Sequence, residues 1–159
     1  MPKPIVIVDL DGTIADASHR QHFVSGPGKK FWKRFFQAQV NDPPIQPVLN
    51  QVRELSREHE IVIVTARPAM CRQGTEQWLE KHSVPYSRIY MRTDHDHRPD
   101  FVVKREIVEK TIGTERIVMA FEDRPLVCQM YRELGLKVVE IESTSENQRV
   151  NEEYAKSEF

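Results

Sequence analysis

Two aspartates, Asp9 and Asp11, stand with one residue between them at the end of the apolar run in "IVIVDLDGT", followed at once by Gly12 and Thr13. Carboxylates at that spacing can divide a reaction between them. One attacks an electrophile such as phosphorus, and the other moves a proton to the leaving oxygen and from the incoming water. An isolated aspartate titrates near pH ~3.9, so the proton-moving role asks for surroundings that raise that value. Two further acids, Glu122 and Asp123, follow a second apolar run at 117–121. Carboxylates from two separate strands repel unless a cation sits between them, and hard oxygen ligands with room for water suit Mg²⁺. A magnesium ion held by few carboxylates shares its remaining positions with a substrate phosphate. Gly12 permits a sharp turn whose N–H groups could face an anion. Thr65 can give its hydroxyl to a phosphate oxygen, and Arg67 can add a charged fork. The chemistry this set suits is phosphoryl transfer.

Such groups need a scaffold that brings them to one place. Apolar β-branched runs at 5–8, 61–64 and 117–121, with further candidates at 88–91 and 138–141, read as strands buried on both faces. Helical periodicities lie between them: Val48, Val52 and Leu55, then Leu126, Met130 and Leu134, the latter closed by Gly135. The expected fold is therefore α/β, a three-layer α/β/α sandwich around a mainly parallel, Rossmann-like sheet. In such sheets ligands bind beyond the carboxyl ends of the strands. Asp9 and Asp11 follow the first strand, Thr65 and Arg67 the second, and Glu122, Asp123 and Arg124 another, so charge and hydroxyl collect at one rim.

The chain of 159 residues suits one domain, with 39% hydrophobic and 30% charged residues and a formal net charge of −1. No global positive field draws in nucleic acid or a membrane, so any such attraction is local. Cys71 and Cys128 lie far apart in no metal-binding spacing. With no signal peptide or spanning segment evident, the expectation is a cytoplasmic protein with no membrane role. The domain is expected over 1–142 with a small insertion at 16–47, and the polar stretch 143–159 reads as a loose tail.

"DLDGT", "VTAR", "RPDFVVKREI" and "FEDRP", in that order, resemble the haloacid dehalogenase superfamily of aspartate-nucleophile phosphatases. Within it the chain is most similar to the 3′-phosphatase domain of phage-type polynucleotide kinase-phosphatases, whose arginine eleven residues beyond the nucleophile is matched by Arg20 in "DASHR". The resemblance implies that Asp9 is the nucleophile and Asp11 the general acid/base. Thr65 and Lys104 would bind phosphate, with Arg20, Arg67 and Asp100 completing the site. Asp9, Asp11, Asp123 and Glu122 would serve Mg²⁺. Glu122 departs from the family's aspartate by one methylene, which could shift its carboxylate outward. A kinase phosphate-binding loop is not present: "GPGKK" has neither the spacing nor the hydroxyl.

The implied function is a Mg²⁺-dependent phosphatase acting on the 3′ end of a nucleic acid through an aspartyl-phosphate, beside a separate polynucleotide kinase or ligase. With little or no cap, the site is open enough for a polymer end. The alternatives are a nucleotide or small-metabolite monophosphatase of the same superfamily, a receiver-like domain and an inactive nucleic-acid-binding module.

The insertion carries "GKKFWKRFFQ", with Phe31, Trp32, Phe35 and Phe36 interleaved with Lys29, Lys30, Lys33 and Arg34. A base-stacking wall and a plain amphipathic helix both fit, and aromatic pairs at helical spacing favour packing. His95 and His97 read as a solvated loop, and His19 and His22 as surface or packing residues.

Overall fold

The computed structural model describes residues 2–142; the tail at 143–159 lies outside the described residues. Five strands form one parallel sheet: β1 (Ile5–Val8), β2 (Glu60–Pro68), β3 (Arg88–Arg92), β4 (Ile117–Glu122) and β5 (Lys137–Glu140), in the order β3-β2-β1-β4-β5. Successive residues of a strand point to opposite faces, and both faces here are covered. Val6, Val8, Ile61 and Ile63 pack with Val48, Leu49, Val52, Trp78 and Leu79 of α2 (Gln46–Leu55) and α3 (Arg72–Lys81). Ile5, Ile7, Val62 and Val64 pack on the other side with Val127, Met130 and Tyr131 of α5 (Pro125–Glu133). Val108 joins them from the π-helical segment Ile107–Ile112 that continues α4 (Asp100–Glu106). The three-layer α/β/α arrangement is the expected one.

The sheet reverses its winding direction at β1. The residues just beyond Val8 therefore sit at the topological switch point, where open α/β sheets bind ligands. The β2–β3 ladder is irregular between Val64 and Pro68, which takes Thr65, Ala66 and Arg67 out of regular pairing at the same rim. Arg92 closes the gap by donating from Nε to the Ala66 carbonyl at 2.9 Å.

Two local expectations are corrected. The buried stripe of α5 is Val127, Met130 and Tyr131, whereas Leu126 is 50% exposed. Pro125 opens the helix and turns Leu126 outward in the first turn. Gly12 does adopt the left-handed backbone (φ 80°), but its N–H donates to the Ala15 carbonyl at 2.9 Å. The loop after Asp11 closes on itself, and that amide is spent on the turn and not aimed at an anion.

The insertion forms a 3-10 turn (Ser18–Phe23), α1 (Trp32–Gln37) and a second 3-10 turn (Ala38–Asn41). Trp32, Phe35 and Phe36 are buried with Val24 and Cys71 in a small core of their own. Packing is thus the role of three of the four aromatics, and Phe31 alone stands 42% exposed. Among the described residues no helix is long and apolar enough to cross a membrane.

Candidate active site

Asp9 leaves the end of β1 with its backbone N–H on the Phe121 carbonyl, which ties the first strand's rim to that of β4. Its side chain is buried and accepts two hydrogen bonds. Thr13 Oγ1 donates to Oδ2 at 3.1 Å, and Lys104 Nζ donates to Oδ1 at 3.0 Å. Lys104 projects from α4, one turn beyond Asp100 and on the same helix face. Asp100 is held by the Arg124 guanidinium, which locks α4 to the start of α5. Lys104 also donates to Glu122 Oε2 at 2.7 Å. Burial works against the Lys104 charge, but Asp9 and Glu122 outweigh it and hold its pKa well above the usual lysine value.

Asp9, Glu122 and Asp123 gather carboxylate oxygens within 4.8 Å of one another, all three residues buried. Three carboxylates face one ammonium there, an excess of two negative charges. Burial, and then the charge of Asp9, push the Glu122 carboxyl well above its ordinary range. A buried hard oxygen donor set whose carboxyl groups oppose one another's ionisation fits a divalent cation such as Mg²⁺. The extra methylene of Glu122 has a visible use. Its Oε1 folds back to accept the N–H groups of Asp123 and Arg124 at 3.2 Å each, while Oε2 stays with Lys104.

Asp11 is not part of that cluster. Its carboxylate lies in a cationic socket, where Arg20 Nη2 reaches Oδ1 at 2.8 Å and Arg67 Nη2 reaches it at 2.6 Å. Arg67 Nε adds a third bond to Oδ2 at 3.1 Å. Burial opposes the Asp11 charge, but Arg67 and Arg20 win, and the carboxyl is held far below the usual range. The expectation that the surroundings of Asp11 raise its pKa is therefore reversed for the substrate-free protein. The cause is the pair of guanidiniums at bonding distance. The Asp11 side chain remains 27% exposed, whereas Arg20 and Arg67 are buried.

Thr65 is buried, and its hydroxyl oxygen accepts the Arg67 N–H at 3.2 Å, stiffening the rim between them. All nine residues singled out in the sequence thus lie at or beside one rim, in two adjoining groups, one rich in carboxylates and one built on guanidiniums.

The insertion supplies residues that no motif flagged. Asp42 is fully buried and accepts Arg20 Nε at 2.8 Å and Nη2 at 2.9 Å, a bidentate pair, with Arg67 Nη2 at 3.5 Å. His19 Nε2 lies 2.6 Å from Asp42 Oδ1, so this histidine is tied into the site. Trp78 Nε1 holds the Asp42 carbonyl at 2.8 Å. The Phe35 ring lies 4.4 Å beneath the Arg20 guanidinium. Gln39 and Thr75 clamp the far side of Arg67, both bonded to its Nη1. Asp42 sat in "NDPPIQP", legible only as a turn. Its separation of 22 residues from Arg20 gives no local spacing to detect.

Asp42→Ala is expected to leave the buried Arg20 and Arg67 sharing Asp11, destabilising the fold by about 3–5 kcal/mol, because one of two buried positive charges then goes uncompensated. Thermal and urea unfolding check this. Loss of the site's arrangement is expected even at temperatures where the variant is folded. An unchanged melting temperature would mean that Arg20 is held by other groups.

With the geometry in place, comparison with known proteins is informative. The profile of the polynucleotide kinase PNKP phosphatase domain matches residues 3–145. A protein of Autographa californica nuclear polyhedrosis virus, described as a bifunctional polynucleotide kinase/RNA ligase, is 28% identical over 138 residues, covering 84% of this chain and 18% of the relative. A chain from the structure of a Pnkp1/Rnl/Hen1 complex superposes with a TM-score of 0.74 at 26% identity, over 90% of this chain and 47% of that one. A haloacid dehalogenase-like hydrolase from Streptococcus pneumoniae matches with a TM-score of 0.65 at 15% identity, covering 93% of this chain and 90% of that one, which shows the shared fold. The chain spans less than a fifth of the viral relative and about half of the Pnkp1/Rnl/Hen1 component.

Proposed function

The chain belongs to the polynucleotide kinase PNKP phosphatase-domain family, and from that premise we propose that it removes 3′-phosphate from polynucleotide ends through a Mg²⁺-supported aspartyl-phosphate. The observation that carries this reading is the contrast between two aspartates two residues apart. Asp9 takes hydrogen bonds from Thr13 and Lys104 inside a carboxylate cluster, and Asp11 lies in a guanidinium socket. Pairs of carboxyls placed in opposed surroundings are the usual basis of a nucleophile and a proton carrier.

In this mechanism a carboxylate oxygen of Asp9 attacks phosphorus, and the bond to the sugar 3′ oxygen breaks as the new one forms. Lys104 and the hydroxyls of Thr13 and Thr65 are the donors nearest the charge that accumulates. Asp9, Asp123 and Glu122 are the residues that would hold Mg²⁺, which would supply charge neutralisation to the phosphoryl oxygens. Asp11 passes a proton to the departing oxygen, then takes one from the water that hydrolyses the aspartyl-phosphate. Arg20 and Arg67 orient Asp11, and Asp42 fixes both arginines. Asp100 positions Lys104 through Arg124. The 3′-hydroxyl left behind is the end that a ligase consumes, consistent with a kinase or ligase working beside this domain.

The deciding measurement is phosphate release from 3′-phosphorylated oligonucleotides, 5′-phosphorylated oligonucleotides and mononucleotides, with and without EDTA. The 3′-phosphorylated oligonucleotide should be turned over at least about tenfold better than the others. EDTA should reduce the rate to background, and added Mg²⁺ should restore it. Equal or better turnover of mononucleotides would instead make this a small-metabolite phosphatase on the same scaffold.

A further inference from the structure

Between the insertion and α3 lies a cleft of about 390 Å³ that the proposed chemistry does not use. Phe36, Val40 and Met70 give it apolar walls, with Met70 49% exposed although it is a large apolar side chain. Lys33, Gln37 and Gln73 stand at its edge as exposed polar groups. Its inner wall is Gln39, whose Oε1 accepts Arg67 Nη1 and Thr75 Oγ1 while Nε2 donates to the Cys71 carbonyl at 3.3 Å. Arg67 in turn holds Asp11. The cleft is therefore two side chains away from the Asp11 carboxylate.

Local charge indicates the occupant. The chain as a whole carries −1, yet residues 26–37 hold Lys29, Lys30, Lys33 and Arg34 with no acid among them. Arg34 and Lys29 lie 5.3 and 5.9 Å from the centre of the exposed Phe31 ring, so part of this basic cluster is gathered on the α1 surface. An apolar slot with amide groups at its edge, set in a basic surface beside a phosphate-handling site, matches a nucleobase whose backbone passes over lysines.

We propose that this cleft receives the base of the nucleotide bearing the scissile phosphate. The proposal rests on the polynucleotide reading of the site and deepens it. Met70 and Phe36 flank the base, Gln37 and Gln73 meet its edge, and Lys33 meets the adjoining backbone phosphate. Gln39 links occupancy of the cleft to the placement of Arg67. Recognition of this kind is tolerant of sequence, because every base offers a π face.

Steady-state kinetics on two 3′-phosphorylated oligonucleotides, identical except that the terminal nucleotide of one lacks its base, test the proposal. For the unmodified protein, losing the base should raise KM about tenfold or more. In the double variant Lys33→Ala, Met70→Ser, both positions being exposed, the ratio of the two KM values should fall to about one. Equal KM values for the two oligonucleotides in the unmodified protein would overturn the cleft assignment alone. So would a variant that raises both KM values by the same factor. Release of phosphate from p-nitrophenyl phosphate but from neither oligonucleotide would overturn the polynucleotide reading and this proposal with it.

Discussion

Asp9→Asn should abolish phosphate release, by at least about 10⁴-fold, while leaving the protein as stable as before or more so. The rate loss follows from its proposed role as the attacking group: an amide oxygen is a poor nucleophile, and removing a nucleophile from a concerted site costs about 10⁴–10⁶. The stability effect follows from the charge around it. Asp9, Glu122 and Asp123 crowd three carboxylates against the single ammonium of Lys104. Neutralising one of them relieves repulsion, and the single amide oxygen of asparagine can still accept from Lys104, while its NH2 takes the place of the oxygen that accepts from Thr13. Melting temperature in EDTA is the readout beside activity. It should hold or rise for the variant, and Mg²⁺, which is expected to raise it for the unmodified protein, should raise it less once a ligand charge is lost. A variant that keeps a tenth of its activity would remove Asp9 from the role of nucleophile. One that unfolds would place the cluster's worth in structure and not in catalysis.

How far the sequence could carry this picture is clearest at the boundary between the two charge groups. Asp9, Glu122 and Asp123 were legible because each directly follows an apolar run, and parallel strands end at a common rim. Thr65 and Arg67 were legible for the same reason, since they belong to β2. Arg20, Asp100 and Lys104 came from family resemblance and not from periodicity. What escaped was the support of the socket. Asp42, Gln39 and Thr75 reach Arg20 or Arg67 across 22, 28 and 8 residues. A hydrogen bond between distant turns leaves no repeating trace in the chain. From sequence the insertion reads only as a small connector whose aromatics favour packing, and what stays hidden is that its two ends deliver Arg20 and Asp42 to the rim. Its aromatics mostly pack beneath that pair, with Phe35 against Arg20. The ionisation of Asp11 was misjudged for a related reason: desolvation can be inferred from a buried strand end, whereas two arginines arriving from elsewhere cannot.

Asp11→Asn should have the opposite stability signature to Asp9→Asn, together with a pH dependence of its own. Asp11 separates two guanidiniums, so an amide there leaves Arg20 and Arg67 facing each other with only Asp42 between them, and the melting temperature should drop. The low carboxyl pKa gives the sign of the linkage. Its contribution to stability is present above the unfolded value near pH ~3.9 and fades only as pH falls toward the depressed folded value. At neutral pH the free protein therefore holds Asp11 ionised, and the proton for the leaving oxygen must arrive with the substrate. A phosphate monoester loses its second proton near pH ~6, so its monoanion can carry that proton into the socket. There the remaining charge of the phosphate offsets Arg20 and Arg67 and lets Asp11 accept it. For the unmodified protein, kcat/KM should then fall about tenfold per pH unit above about 6. A kcat/KM flat from pH 6 to 8 would sink the idea that substrate supplies the proton. In Asp11→Asn the oligonucleotide rate should drop by about 10²–10⁴. p-Nitrophenyl phosphate, whose leaving group needs no proton, should instead give one rapid burst of nitrophenol per protein and then stall, because nothing deprotonates the hydrolytic water. Steady turnover without a burst, at the rate of the unmodified protein, would remove Asp11 from proton transfer altogether.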